Sequence, residues 1–250
     1  MSQEQQVTFS IILPAFKKAE VIQEVLLNLF LICNESYKSD FECILVIDGG
    51  NDLTAHFARE LNLEKISIVE LSENEGKGHA LSQGIRIARG ALVGYIDADL
   101  DIDVSNLINA FRLLQEDPSL EAVIGSKWLT SHNKTYPFVR RIGSKLFSFI
   151  VRILFNLSVS DTQTGLKVFR QNRIKLLVNH KNLDKRFLWD LEVLYYYGKF
   201  KWKVAEIPVS LNFRNQTSIR MIDVIKSFAG LLFLKIKLSI IQKNIGEKVD

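Results

Sequence analysis

The sequence predicts an α/β protein with a mostly parallel sheet covered by helices on both faces. Between residues 7 and 125, apolar runs rich in β-branched residues alternate with helical patterns, an order typical of parallel strands linked by helices. The chain of 250 residues is 47% hydrophobic, which is enough to bury one large core. No repeat, low-complexity segment or linker interrupts the pattern.

Each unit of this alternation begins with a predicted strand. The strands read VTFSIIL, ECILVI, KISIVEL, ALVGYID and EAVIG, and the helices between them begin near Glu20, Asp52, Lys77 and Val104. Because parallel sheets bind ligands at the carboxyl ends of their strands, the candidate site lies in the segments that follow the strands. These segments are residues 14–18, 48–52, 72–78 and 97–103.

Two amphipathic helices are predicted in the second half of the chain. In residues 138–157, FVRRIGSKLFSFIVRILFNL, the polar side chains fall within an arc of roughly 160° at about 100° per residue. Residues 219–241 form the second pattern, which Lys226, Lys235 and Lys237 interrupt. Each helix could pack on the sheet or on a partner subunit, or lie on a bilayer, and neither is predicted to cross one.

Charge and composition exclude several classes of protein. A net charge of +4 suits contact with anionic phosphates or an anionic membrane surface, and it does not require a nucleic-acid partner. Cys33, Cys43 and four scattered histidines indicate neither a disulfide framework nor a Cys/His metal site. The first residues lack the features of a secretory signal, and no apolar run approaches the ~18 residues of a membrane span. We therefore expect a reducing, cytosolic location.

An acidic segment, YIDADLDID, follows the fourth predicted strand. Alternate residues of an extended chain share one side, so Asp97, Asp99 and Asp101 are expected to converge. Oxygen ligands suit Mg²⁺ or Mn²⁺, and Mg²⁺ is typically held by one or two carboxylates together with substrate phosphates. The segment therefore predicts a divalent cation beside a nucleotide diphosphate, and a solvated acidic loop is the alternative for the motif taken alone.

A family resemblance rests on segments in a fixed order over residues 9–220. They read IILPAFKKAEVI, VIDGGNDLT, NEGKGHALSQGIRIARGALVGYIDADL, GSK, RRIGS, SDTQTGLKVFR, DLEVL and EIPVSLNFR. In this order they resemble the family 2 glycosyltransferases of the GT-A fold, and more narrowly the polyprenyl-phosphate or dolichyl-phosphate sugar transferases. The resemblance implies a Rossmann-like GT-A domain over residues 1–220, with a nucleotide-sugar half (7–126) and an acceptor half (127–220). An amphipathic helix and tail would follow over residues 221–250.

The resemblance also implies the donor residues. The nucleotide-sugar would contact Pro14, Ala15, Phe16, Glu20, Asp48, Lys77, Asp97, Ala98 and Asp99. The metal, Mg²⁺ or Mn²⁺, would be held by Asp97 and Asp99, with Asp101 as an additional ligand. Two motifs depart from the family. Lys18 stands where relatives have an acidic residue, which Glu20 could replace, and Ile47 stands where they have the first of two aspartates.

On the acceptor side, a lipid phosphate is already ionised at neutral pH and needs cations rather than a general base. The resemblance implies that Lys127, Arg140, Ser144 and Lys167 bind this phosphate, that Gln163 and Asp190 line the sugar or acceptor pocket, and that Asp161 is catalytic together with Asp97 and Asp99. Arg140 and Ser144 are four residues apart and so share one helix face. The apolar face beyond them gives a polyprenyl tail a path.

These observations predict an inverting glycosyltransferase associated peripherally with the cytosolic face of a membrane. It would move a hexose from a nucleotide-sugar, with UDP-sugar favoured over GDP-mannose, to a polyprenyl or dolichyl phosphate. One alternative is a family 2 transferase that acts on a polysaccharide or another hydroxyl acceptor. A second is an inactive nucleotide-sugar-binding partner subunit, which the departures at Lys18 and Ile47 motivate. A homo-oligomer and a membrane partner subunit both stay open, and no nucleic-acid partner is expected.

Overall fold

The computed structural model describes residues 7–37, 40–130, 138–210 and 230–238, with the backbone alone for residues 138–144. The strands are β1 (Phe9–Ala15), β2 (Phe41–Ile47), β3 (Ile66–Glu70), β4 (Leu92–Ile96), β5 (Ala122–Ser126), β6 (Leu166–Arg170) and β7 (Val204–Pro208). The helices are α1 (Ile22–Tyr37), α2 (Thr54–Glu60), α3 (Lys77–Ile87), α4 (Val104–Glu116), α5 (Phe138–Phe155), α6 (Gln171–His180) and α7 (Trp189–Lys199), followed by α8 at residues 230–238.

The strands form one mixed sheet in the order β3-β2-β1-β4-β6-β5-β7. The first four are parallel to one another, which confirms the predicted βα alternation. β6 runs antiparallel to both β4 and β5, and β7 is parallel to β5. The sequence pattern did not predict the antiparallel insertion, β7 or α6. The five strands it did predict all form.

Helices cover both faces of the sheet. Every residue of β1, β2, β4 and β5 is buried, whereas the edge strand β3 is partly exposed. α1, α2 and α4 pack on one face, and α3, α5, α6, α7 and α8 contribute buried side chains to the other. Continuous burial along the central strands is the pattern expected of a sheet whose two faces are both covered.

The predicted helix after residue 138 forms as α5, but its exposed face differs from the prediction. Ser148 was expected on the polar face and is 7% exposed, whereas Leu146, Phe149 and Ile153 are 55%, 58% and 66% exposed. Val151 is one of the residues by which this helix contacts the core. The apolar part of the helix is wider than that contact. A row of large apolar side chains spaced three and four residues apart therefore faces outward.

α8 lies within the second predicted amphipathic segment, and the rest of that segment is outside the described residues. One set of its side chains, Leu231, Leu234 and Leu238, is buried against the core. The opposite set, Leu232, Phe233 and Ile236, is 60% to 68% exposed. Lys235 donates a hydrogen bond to the Leu154 carbonyl, which joins α8 to the end of α5.

The two cysteines lie apart from the candidate loops. Cys33 and Cys43 are free, buried thiols in α1 and β2. Among the helices in the described part of the chain, none is long and apolar enough to pass through a bilayer.

Substitution of two helical glycines, one in α3 and one in α7, tests how closely α3 packs on the sheet. A Cβ at Gly84 would lie 2.6 Å from Ile12 Cγ2, whereas a Cβ at Gly198 in α7 would have no atom within 4 Å. Alanine adds about 0.8–1 kcal/mol of helix propensity at either site, but overpacking at Gly84 costs about 1–3 kcal/mol. We expect Gly198→Ala to raise the free energy of unfolding measured in urea and Gly84→Ala to lower it. An equal rise in both would contradict this packing.

Candidate active site

The loops after β1, β2 and β3 meet at the carboxyl edge of the sheet. Gly49 has φ +66°, and a Cβ there would lie 2.6 Å from the Asn74 nitrogen. The Asp48 carboxylate accepts hydrogen bonds from the Glu75 and Gly76 N–H groups, at 3.0 and 2.8 Å. These contacts explain the IDGG sequence, because only glycine fits both the backbone angle and the approach of the next loop.

The expected donor residues occupy different depths at this edge. Pro14 and Ala15 end β1 in buried positions, whereas Phe16 and Glu20 are exposed. Asp48 is 3% exposed and holds the loop after β3. Lys18, at the position where the family motif departs, donates its backbone N–H to Thr54 Oγ1 at 2.9 Å. The loop after β1 therefore stays joined to the start of α2 despite the substitution.

Lys77 is the first residue of α3 and reaches the end of β4. Its Nζ lies 2.6 Å from Asp97 Oδ1, and both side chains are about 30% exposed. Burial opposes the charge of Lys77, but Asp97, Asp190 and Asp99 outweigh it and raise its pKa. Burial raises the pKa of the Asp97 carboxyl, an effect that Asp99 and Asp190 reinforce and Lys77 opposes. The negative charge of Asp97 and Asp99 thus already attracts a cation, the Lys77 ammonium.

A second ion pair lies beneath the first. Lys167 Nζ is fully buried, 2.9 Å from Asp190 Oδ1, and donates to the Thr164 carbonyl and the Tyr95 hydroxyl at 2.8 and 2.9 Å. The Tyr95 hydroxyl donates to the same Asp190 oxygen. Burial lowers the pKa of Lys167, and Asp190 opposes that shift. The Nζ atoms of Lys77 and Lys167 lie 5.2 and 5.4 Å from the centre of the Tyr95 ring, which links the two pairs.

A third pair joins β5 to the loop before β6. Asp161 is fully buried, and its carboxylate oxygens accept from Lys127 Nζ at 3.0 and 3.2 Å. Gln163 N–H and the Thr164 hydroxyl also donate to Asp161. Burial raises the pKa of Asp161, but Lys127 and these hydrogen bonds outweigh it, so the net shift is downward. Asp161 is therefore placed to hold Lys127 and the loop.

The acidic segment does not follow the extended geometry expected from its sequence. The chain turns after β4, with Leu100 at φ +61°, so alternate residues no longer share a side. Asp99 Oδ1 accepts from the Asp101 N–H at 3.1 Å, and Asp103 caps α4 through the Ser105 N–H. The predicted convergence of three carboxylates is wrong: within the described ranges, no three His, Cys, Asp or Glu side chains gather to hold a metal.

Two carboxylates still fit a divalent cation. Asp97 and Asp99 are partly exposed at the end of β4, and a pair of carboxylates completed by substrate phosphates is the usual protein contribution to a Mg²⁺ site. The ammonium of Lys77 against Asp97 indicates that this position is electronegative enough to bind positive charge. The donor set is therefore compatible with Mg²⁺ or Mn²⁺, with Asp97 and Asp99 as its protein ligands.

The acceptor residues are only partly described. Arg140 and Ser144 lie in the first turns of α5, and their side chains are outside the described atoms. Gln163 is half-buried at the loop before β6. Lys167, expected at the acceptor phosphate, has a fully buried ammonium group, so in this position it reaches a substrate only through its neighbours.

Sequence reasoning missed several residues that shape the site. The Tyr95 ring lies beside the ammonium groups of both Lys77 and Lys167, yet in the sequence it is one more residue of an apolar strand. Glu206 in β7 accepts from the N–H groups of Ser160 and Asp161 at 2.8 and 3.1 Å and so fixes the loop before β6. A glutamate in an otherwise apolar strand, VAEIP, was the available signal. The missing side chain of Gly165, in the loop before β6, leaves room for the Asp97 carboxylate.

Comparison with known proteins shows the family of the chain. The model of glycosyl transferase family 2 matches residues 10–177. Among curated proteins, the chain is 26% identical over 228 residues to glycosyltransferase AglD of Haloferax volcanii, covering 90% of this chain and 36% of that protein. It is 29% identical over 238 residues to a dolichyl-phosphate beta-glucosyltransferase of Trichomonas vaginalis, covering 91% of this chain and 72% of that enzyme. The chain thus spans about a third of one relative and nearly three quarters of the other.

A solved structure has the same fold. Glucosyl-3-phosphoglycerate synthase of Mycobacterium tuberculosis, in complex with Mn²⁺, UDP and phosphoglyceric acid, matches with a TM-score of 0.67 at 16% identity, over 92% of this chain and 77% of that one. This likeness confirms the predicted GT-A arrangement of strands and helices. Since the family model covers most of the chain and the fold agrees, this protein belongs to glycosyl transferase family 2 and is a glycosyltransferase.

Proposed function

We propose that this enzyme transfers one hexose from a nucleotide-sugar to a polyprenyl or dolichyl phosphate, with inversion, at the cytosolic face of a membrane. A UDP-sugar is the favoured donor over GDP-mannose. The observation that carries the proposal is the state of Asp161 and Asp190, each of which is buried against a lysine ammonium group. Such carboxylates are poorly placed to remove a proton from a hydroxyl acceptor.

An acceptor that is already ionised needs no base. The oxygen of a lipid phosphate attacks C1 of the hexose, the bond from C1 to the diphosphate breaks, and its electrons pass to the nucleoside diphosphate that leaves. A single displacement of this kind inverts the configuration at C1 and transfers no proton. Several relatives are named dolichyl-phosphate beta-glucosyltransferases, which supports this choice of acceptor.

Positive charge around the leaving diphosphate would come from two sources. When bound, a Mg²⁺ or Mn²⁺ ion at Asp97 and Asp99 supplies charge that stabilises the departing diphosphate. Lys77 lies next to Asp97 at the N-terminus of α3, so its ammonium and the helix dipole act on the same anion. Pro14, Ala15, Phe16, Glu20 and Ala98 would line the nucleotide, and Asp48 would act through the loop that it holds.

On the acceptor side, Arg140 and Ser144 would bind the lipid phosphate, with Lys127 held nearby by Asp161. Gln163 would line the pocket between the two substrates. Asp190 and Lys167 would position Tyr95 and Lys77 from the buried side of the site. The alternative of an inactive partner subunit is less well supported, because the loops after β1, β2 and β3 remain joined despite Lys18 and Ile47.

Membrane attachment is proposed from the exposed apolar sets of α5 and α8. Leu146, Phe149 and Ile153 on α5 lie among the exposed cations Lys145 and Arg152. Apolar side chains interleaved with cations suit the interface of a bilayer that contains anionic lipid. An acceptor phosphate anchored in that bilayer would then meet the start of α5.

The acceptor prediction compares polyprenyl phosphate with polyprenol, which lacks the phosphate. We expect transfer from a UDP-sugar to the phosphate and little to the alcohol. Arg140→Ala should lower kcat/KM for the acceptor roughly ten- to a hundredfold, since hydrogen bonds to a charged group contribute about 1.5–3 kcal/mol. Donor affinity should stay the same, because Arg140 is placed at the acceptor alone.

Arg112→Ala is the matched control, because Arg112 is an exposed arginine of α4, which packs on the opposite face of the sheet from α5. It should leave acceptor kinetics close to wild type. Efficient transfer to polyprenol, or equal losses in the Arg140 and Arg112 variants, would contradict an acceptor phosphate at Arg140.

The metal prediction concerns Asp99. Asp99→Asn should lower kcat roughly a hundredfold or more, because stabilisation by a bound cation is worth several kcal/mol and each ~1.4 kcal/mol is a factor of ten in rate. Asp103→Asn is the control, since Asp103 caps α4 and asparagine caps as well. Excess EDTA should abolish the rate and Mn²⁺ should restore it. Undiminished turnover in EDTA would refute the metal role.

The membrane prediction uses co-sedimentation with lipid vesicles. Phe149→Asp should weaken binding to phosphatidylserine-containing vesicles roughly ten- to a hundredfold, since burial of a phenylalanine contributes about 1.5–3 kcal/mol. Leu31 of α1 is a comparable exposed residue, at 65%, and Leu31→Asp should bind as the wild type does. If both substitutions have the same effect, α5 is not the docking face.

A further inference from the structure

α8 approaches the donor site across a cavity. This cavity of about 680 Å³ is lined by Phe233 and Lys237 of α8, by residues 182–186, and by Asn74 and Glu75 of the loop after β3. Phe233 is also one of the exposed apolar residues of α8. The same short helix therefore has one group at the surface and another, Lys237, that points toward the loops of the site.

Lys237 joins α8 to α7 and to the segment before α7 through two contacts. Its Nζ lies 2.6 Å from Glu192 Oε1 and 2.6 Å from the Asn182 carbonyl oxygen. Glu192 is 1% exposed on α7. Because a buried carboxylate is costly unless it is paired, the position of Glu192 depends on the cation that α8 supplies.

Glu192 passes the contact on to the segment before α7. Its other oxygen, Oε2, accepts a hydrogen bond from the Asp184 N–H. The Asp184 carboxylate accepts in turn from the N–H groups of Arg186 and Leu188, at 2.8 and 3.2 Å. The Glu192 carboxylate therefore fixes the start of residues 184–188, and the Asp184 carboxylate fixes the turn that follows.

Residues 184–188 press on the glycines that flank Lys77. The Lys185 carbonyl accepts from the His79 N–H at 2.8 Å. A Cβ at Gly76 would lie 2.6 Å from that carbonyl oxygen, and a Cβ at Gly78 would lie 2.6 Å from the Asp184 carbonyl oxygen. A shift of this segment would therefore move the start of α3, where Lys77 meets Asp97.

From these contacts we propose that α8 sets the donor site: Lys237 and Glu192 are positioning residues that transmit the docking of α8 on an anionic bilayer to Lys77. This inference rests on the proposed function, because it assigns a regulation to the same site. Bilayer contact with Leu232, Phe233 and Ile236 favours the arrangement in which Lys237 reaches Glu192. Lipid thereby tightens the binding of the donor nucleotide, even though the nucleotide touches neither lipid nor α8.

The test measures the Kd of UDP, and of GDP in parallel, by calorimetry with Mn²⁺, in the presence and absence of phosphatidylserine-containing vesicles. For the nucleotide that binds, we expect vesicles to lower the wild-type Kd about fivefold or more, the lower bound of typical coupling between sites. Lys237→Met should raise the Kd and remove the response to vesicles. Lys235→Met is the matched control, because Lys235 of the same helix donates to the Leu154 carbonyl of α5, and it should keep the response.

A double variant is the control for loss of folding in the Lys237→Met variant. Glu192→Gln with Lys237→Met has no buried charge to leave unpaired, and the glutamine oxygen can still accept from the Asp184 N–H. We expect this variant to fold and to bind UDP, with a Kd that no longer changes when vesicles are added. A response equal to that of the wild type in the double variant would overturn the inference.

The remaining outcomes separate the inference from the function on which it rests. If the wild type transfers sugar to polyprenyl phosphate but its Kd for the nucleotide does not change when vesicles are added, the inference is overturned and the proposed function stands. Equal loss of the vesicle response in Lys235→Met and Lys237→Met would overturn the specific path through Glu192. If the wild type binds neither UDP nor GDP, both proposals are refuted.

Discussion

Two lysine–aspartate pairs beside Tyr95, one buried and one partly exposed, are the constraint on which the rest of the candidate site depends. Lys77 faces Asp97, Lys167 faces Asp190, and the Tyr95 ring lies beside both ammonium groups. Breaking the buried pair of Lys167 and Asp190 by removal of one partner would cost about 3–5 kcal/mol, so β6 and α7 have to be in place together. The arrangement of the candidate site is thus a property of the assembled sheet and of no single loop.

The first half of the fold was predictable because its strands are buried on both faces and its helices begin after clear turns. The second half was harder. β6 contains Lys167, which any pattern of hydrophobic residues assigns to the surface, yet the residue is fully buried. Its burial follows from Asp190 and Tyr95, which are distant in sequence. α8 was predicted as amphipathic, but which of its faces is buried depends on partners that the sequence does not reveal.

The location of the candidate residues was more predictable than their geometry. Asp97, Asp99 and Lys77 stand out in the sequence by their motifs, and in the structure Lys77, at the start of α3, meets Asp97 at the end of β4. The expected convergence of Asp101 assumed an extended chain, and the left-handed residue Leu100 removes that assumption. Glu206 stands out in the sequence as a charge within the apolar strand β7, but its partner in the loop before β6 is not evident there. Charge motifs indicate where a site is to be sought, and the hydrogen bonds that orient its side chains require coordinates.

The place of β5 in the sheet has a consequence for synthesis of the chain. β1, β2, β3 and β4 pair with one another, so they can form their ladder as soon as they leave the ribosome. β5 is made next, but its neighbours are β6 and β7, which are translated later. Until then its edges are unpaired, a known hazard for aggregation. A nascent chain therefore passes through a stage in which β1, β2, β3 and β4 are paired while both edges of β5 are still open.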